Sequence, residues 1–159
     1  KSPISIDLII SNTIKAKGLQ YGKQFNIKKK ILNFQNIKVI EKKLLTLLIK
    51  DRIEFICLAG FMKILSDDFI KKFNGKIINI HPSLLPKYKG LNTHSRAIQN
   101  RDKFSGCTVH HVTEKLDSGK IIMQKKVKIT KKDTSITLAK KILKQEHKLY
   151  PVAILKIFN

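Results

Sequence analysis

Apolar positions in this chain fall into two kinds of run, and the two kinds alternate. Short, nearly unbroken runs read as buried strands: Ile6 to Ile10, closed by Ser11-Asn12, and Phe55 to Ala59, closed by Gly60. Between them Ile37, Ile40, Leu44, Leu47 and Leu48 recur at helical spacing and predict an amphipathic helix over Ile37 to Lys50. A short helix is expected from Lys15 to Tyr21, ending near Gly22, and an edge strand from Ile27 to Leu32, whose lysines discourage further pairing. Ser66 suits the N-cap of a helix over Asp67 to Phe73, with acidic residues in its first turn. Lys76 to His81 then forms a strand, and Pro82 to Thr93 a long Pro/Gly/Asn-rich loop. A helix from about His94 to Gln99 is followed by strands over Cys107 to Thr113 and Ile121 to Ile129. The turn Asp117-Ser118-Gly119 lies between these strands. Asp133-Thr134 opens a last helix to about Tyr150, where Pro151 breaks or kinks it. The alternation predicts an α/β fold, doubly wound, with a mainly parallel sheet. In such sheets, sites lie beyond the carboxyl ends of the strands.

One strand end carries chemistry. In Ile78-Asn79-Ile80-His81-Pro82, alternate residues share a face, so Asn79 and His81 project together. A carboxamide donor and a proton-transfer group aimed at one point suit chemistry at a carbonyl. Asp117 is placed to set a carboxylate against His81, which would favour the imidazolium. Leu58 to Leu65 opens a strand into an apolar loop suited to a flat heteroaromatic ligand. Taken singly, each element has a plainer reading: Asn-x-His at a strand end as structure, Asp117 as a turn residue, Phe61-Met62 as core. Of the paired histidines His110 and His111, only one can face inward. His110 is the one that reaches the site, and His111 meets solvent. His94 and His147 read as surface or helix-packing residues, and no histidine has metal-site spacing.

Composition changes this picture little. The 159 residues fit one domain, and no apolar run approaches the roughly 18 to 20 residues that span a membrane. Lys1 to Asp7 lacks the pattern of a signal peptide. Cys57 and Cys107 are expected as reduced, buried thiols of a cytoplasmic protein. Thirty lysines against three arginines give a net charge of +22. They are scattered, without an Arg-rich tract or aromatic platform, and 25 isoleucines rise with them. Compositional drift explains this better than nucleic-acid binding, although the charge would still steer anionic ligands.

Together, Leu58-Ala59-Gly60-Phe61-Met62-Lys63-Ile64-Leu65, the run Asn79 through Arg96, Val109 through Gly119 and Gln145 through Pro151 resemble the phosphoribosylglycinamide formyltransferases. These are a branch of the 10-formyltetrahydrofolate-dependent transferases. Asn-Ile-His-Pro-Ser-Leu-Leu-Pro with a Leu-Asp-x-Gly loop carries the superfamily likeness, and Lys87 to His94 the branch. The resemblance implies formyl transfer from 10-formyltetrahydrofolate to the glycyl amine of 5-phosphoribosylglycinamide in purine biosynthesis, without a metal. Asn79, His81 and Asp117 would be catalytic. Met62, Lys63, Ile64, Leu65, Asn79, Val112, Thr113, Glu114, Leu116 and Asp117 would line the folate site. Asn79, Pro82 and Glu146 would bind the ribonucleotide. The partners implied are small molecules, with no nucleic acid or membrane, in a monomer or weak homodimer.

One family feature is unmatched. A first strand with a Gly-x-Gly-Ser-Asn type loop, which cradles the substrate phosphate, has no counterpart, and Ile6 to Asn12 aligns with the family's second strand. The expectation is therefore a single formyltransferase domain over 1–159, truncated at the N-terminus and slightly at the C-terminus. Lacking the first strand-loop-helix unit, it would be weakly active on its own. The alternatives are a formyltransferase for another amine, such as methionyl-tRNA or a sugar nucleotide, or an inactive folate-binding fragment.

Overall fold

The computed structural model describes residues 4–159, so the start of the Lys1 to Asp7 segment lies outside them. The chain forms two units, Lys1–Phe55 with Lys63–Gly75, and Ile56–Met62 with Lys76–Asn159. In the first, strands β1 (Leu8–Ser11) and β2 (Lys28–Ile31) pair in parallel, Leu8 opposite Lys28. Helix α1 (Leu19–Gln24) lies between them in sequence and begins four residues later than the hydrophobic pattern predicts. Thr13 to Gly18 is spent on turns, with Ala16 N–H bonded to the Thr13 carbonyl and Leu19 N–H to that of Ala16. The helix also runs through Gly22, where a Cβ would press on the Lys29 stem.

Helix α2 (Ile37–Lys50) has its predicted bounds because Asn36 caps it, accepting from Val39 N–H. It buries Leu44 and Leu48, and also Glu41. That carboxylate accepts from the Ser66 backbone N–H at 2.7 Å and the Ser66 hydroxyl at 2.6 Å. Ser66 in turn caps α3 (Asp67–Lys72) by accepting from Phe69 N–H. Phe69 and Phe73 stack with ring centroids 6.3 Å apart.

In the second unit four strands lie in the order β3 (Phe55–Ala59), β4 (Lys76–His81), β5 (Phe104–His111), β6 (Ile121–Lys128). The α/β architecture is as expected. The parallel pairing is seen at β1–β2, whereas β4–β5 and β5–β6 are antiparallel. The turn around Asp117 is too short for the crossover that parallel neighbours need. Strand β5 starts at Phe104, ahead of the predicted Cys107, because Gly106 lets the Lys125 carbonyl approach where a side chain would collide. Helix α4 (Thr93–Gln99) precedes β5, and α5 (Ser135–Phe158) packs against β5 and β6.

The expected break at Pro151 does not occur, and α5 continues to Phe158. A helical proline removes one backbone bond and costs about 3 kcal/mol. Burial of Leu149 and Ala153 on either side offsets that cost, and the Tyr150 hydroxyl donates to the Leu58 carbonyl at 2.8 Å. Cys107 is buried, as expected, and its thiol is pushed up to about 12 by burial and then by the Glu146 charge. Cys57 is instead exposed, although partial burial still raises its thiol to about 11. Among the described residues no helix is long and apolar enough to cross a membrane.

Candidate active site

The antiparallel ladder of the second unit sets the site. Asn79 stands opposite His110, and His81 opposite Thr108. Cross-strand partners share a face, so these four side chains point the same way. The β5–β6 register slips by one residue between Val109 and His110. Such bulges re-aim a side chain, here the histidine that the sequence left as a secondary candidate.

His81 is buried and has a distinct neighbour at each ring nitrogen. Nε2 donates to the Tyr88 carbonyl at 2.9 Å, because a carbonyl can only accept. Nδ1 lies 3.4 Å from Asp117 Oδ2, and the Asp117 side chain is only 8% exposed. The same carboxylate oxygen accepts from Gly90 N–H at 2.8 Å. Asp117 holds φ at +45°, a conformation Asp tolerates better than most residues. Its turn leads to Gly119, where any Cβ would overlap the His111 carbonyl. Asp117 is therefore both a turn residue and the partner of His81, since the close return at Gly119 aims its carboxylate inward.

His110 completes the cluster. Its Nδ1 donates to the His111 carbonyl at 2.8 Å. Burial holds its imidazole below the usual histidine range, against the opposing pull of that carbonyl and of Asp117. A neutral ring protonated at Nδ1 presents a lone pair at Nε2, which accepts from Asn79 Nδ2 at 3.4 Å. One amide proton of Asn79 is thereby used and the other is left to donate. The 3.6 Å approach of His110 Nε2 to Asp117 Oδ1 is too long for a hydrogen bond. His111 is half-buried, and burial with the charges of Lys76 and Lys120 lowers it.

The remaining predicted residues lie as follows. Val112 and Thr113 are half-buried, Glu114 and Leu116 exposed, and Pro82 half-buried. Met62 is 72% exposed in the second unit; Lys63 and Ile64, in the first, are exposed, and Leu65 there is buried. Glu146 sits on α5, its carboxyl raised by burial. Sequence reasoning missed the backbone groups of Tyr88 and Gly90, which leave no side-chain signal. It read His94 as a surface or helix-packing residue, and the second is the case on α4. His94 is half-buried with Nδ1 unpartnered, and burial followed by the nearby His81 charge lowers its imidazole. Among the described residues no group of three or more His, Cys, Asp or Glu side chains is arranged to hold a metal ion.

Comparison with known proteins matches residues 1–154 to the Formyl transferase family model. The phosphoribosylglycinamide formyltransferase of Haemophilus influenzae is 42% identical over 155 residues, covering 96% of this chain and 73% of the relative. The human trifunctional purine biosynthetic protein adenosine-3 is 40% identical over 156 residues, but the chain spans only 15% of its length. Among solved structures, phosphoribosylglycinamide formyltransferase from Bacillus halodurans superposes with a TM-score of 0.91 at 34% identity, over 99% of this chain and 82% of that one. The enzyme from Anaplasma phagocytophilum gives 0.90 at 39% identity, over 99% of this chain and 76% of its own. By its match to the family model over residues 1–154 and its 42% identity to the Haemophilus influenzae relative, the chain belongs to the formyl transferase family.

Proposed function

We propose that this chain transfers a formyl group from 10-formyltetrahydrofolate to the glycyl amine of 5-phosphoribosylglycinamide, a step of purine biosynthesis, in the cytoplasm. The observation that carries the reading is His81 held between Asp117 and the Tyr88 carbonyl, on the same face as Asn79. The relatives' names supply the acceptor and the group transferred, and the formyl transferase family implies a folate-type donor. The exposed apolar side chains of Met62 and Leu116 fit the faces of a heteroaromatic donor, and Val112 to Asp117 offers backbone groups to its edge. Pro82 and Glu146 are assigned to the ribonucleotide.

When bound, the donor supplies an activated formyl carbon, and attack by an amine places negative charge on its oxygen. Asn79, with one amide proton committed to His110, donates the other to that oxygen. Tyr88 accepts from Nε2 of His81, so Nδ1, which faces Asp117 at 3.4 Å, is the ring atom through which His81 exchanges a proton with a reacting group. Asp117 sits against that nitrogen and holds the ring in place. His81 thus stabilises the oxyanion; as the bond from the formyl carbon to the donor nitrogen breaks, it passes a proton to that departing nitrogen and takes back the one the attacking amine releases. Burial of this cluster keeps bulk water from competing.

The test is formyl transfer by the native polypeptide carrying this sequence, with glycinamide ribonucleotide and with methionyl-tRNA as acceptors. We expect turnover with the ribonucleotide and none with the tRNA. The reverse preference would move the chain to another branch of the family, and no transfer to either would discard the proposal.

A further inference from the structure

The loop over 82–92 presents the Tyr88 carbonyl to His81 and the Gly90 N–H to Asp117. Its base is held by Thr108, whose hydroxyl donates to the Ser83 carbonyl at 2.6 Å and accepts from Leu85 N–H at 3.1 Å. Its crest is different. Tyr88 holds φ at +55°, which an aromatic residue keeps only where its surroundings dictate it. Those surroundings are specific. The Tyr88 hydroxyl donates to Asp102 Oδ2 at 2.8 Å and accepts from Asn100 at 2.9 Å. Arg96 lies over the ring, 5.0 Å from its centroid, and donates to the Lys89 carbonyl at 2.7 Å. Lys87 pairs with the same Asp102 at 3.0 Å.

We propose that Asp102 is a positioning residue, acting through Tyr88 to fix the backbone that orients His81 and Asp117. Asp102 lies in the connection between α4 and β5, anchored by its own N–H to the Ala97 carbonyl. Its side chain is bonded to Tyr88 and Lys87, not to His81 or Asp117. What it fixes is the side chain of a residue whose carbonyl oxygen decides which ring nitrogen of His81 is committed. Freed from Asp102, the Tyr88 backbone relaxes toward negative φ and its carbonyl turns away. Nε2 then loses its acceptor, and the ring is free to rotate from Asp117. The consequence for turnover rests on the formyl-transfer reading; the consequence for the imidazole does not.

Tyr88→Phe keeps the ring beneath Arg96 and removes only the hydroxyl. Asp102→Ala removes the acceptor, and Asp102→Asn keeps an oxygen for the Tyr88 hydroxyl. We expect Tyr88→Phe and Asp102→Ala each to lower kcat by about 10- to 100-fold, the scale of a small misplacement of a catalytic group. KM for the formyl donor should stay within about threefold, and Asp102→Asn should recover most of kcat. In substrate-free protein, the His81 imidazole nitrogen resonances should move in the two damaging variants and stay in place in Asp102→Asn. Wild-type kcat together with wild-type imidazole resonances in Tyr88→Phe and Asp102→Ala overturns the proposal. Should Asp102→Ala fail to fold, Tyr88→Phe decides alone. If wild-type protein transfers no formyl group, the functional reading falls, and unmoved imidazole resonances in Tyr88→Phe still overturn the positioning role.

Discussion

Each side chain of the candidate centre is held by a partner of its own, and that division of labour decides what a substitution removes. Asn79 is oriented by a neutral His110, His81 by Tyr88, and Asp117 by Gly90. Asp117→Asn would preserve an acceptor for Gly90 N–H yet remove the charge beside Nδ1. We expect kcat to fall by about 10²-fold or more, with a small change in KM, because the charged imidazole matters most in the transition state. Steady-state kinetics checks this, and an unchanged kcat would remove Asp117 from the mechanism. Asn79, His81 and Asp117 were legible in sequence because strand alternation and a turn before glycine place side chains directly. The Tyr88 carbonyl was not, because a backbone contact depends on loop conformation. His110 was half-legible: alternation brought it inward, but the bulge that aims it leaves no trace in composition.

Elements were read well where periodicity was long or caps were explicit. Helix α2 and strands β3 and β4 have their predicted bounds, and Ser66 caps α3 as its sequence suggests. The errors share one cause, tertiary packing overriding a local signal. Gly22 and Pro151 read as stops yet lie inside helices, and Gly106 lies inside a strand. The Ser66–Glu41 contact joins α2 to α3 in a way no local pattern reveals. Ser66→Ala should therefore cost more than a lost cap. The cap contributes about 1 kcal/mol, and weakening the bonding of a buried carboxylate about 1 to 3 kcal/mol. We expect the urea unfolding midpoint to drop correspondingly and Ser66→Thr to restore most of it. A midpoint unmoved by Ser66→Ala would mean that Glu41 does not hold α3.

For the whole molecule, the histidines lowered by burial and Asp133 give stability a pH dependence of definite sign. Burial lowers His94, His110 and His111 below the ordinary value of 6.5. The unfolded chain therefore takes up protons first as pH falls. The contribution of these residues is whole above about pH 6.5 and is lost as pH drops through their folded values. Asp133 acts lower. Lys141 and the Thr130 N–H and hydroxyl hold its carboxyl far below the usual 3.8, so its contribution fades only below that value. Thermal melts between about pH 7 and about pH 3 should show a first decline near the histidine range and a second in acid. Glu146, raised by burial, acts with the opposite sign, so the deciding melt is that of Glu146→Gln: stability rising there between about pH 7 and about pH 5.5 would contradict this assignment. The central claim, that His81 performs the proton transfer of a formyl-transfer centre, rests on the activity of the native polypeptide. Its most direct test is the rate of formyl transfer to glycinamide ribonucleotide by His81→Ala beside wild type, at saturating donor. We expect a fall of about 10² to 10⁴ in kcat with the fold intact; a rate within about threefold of wild type would contradict the claim.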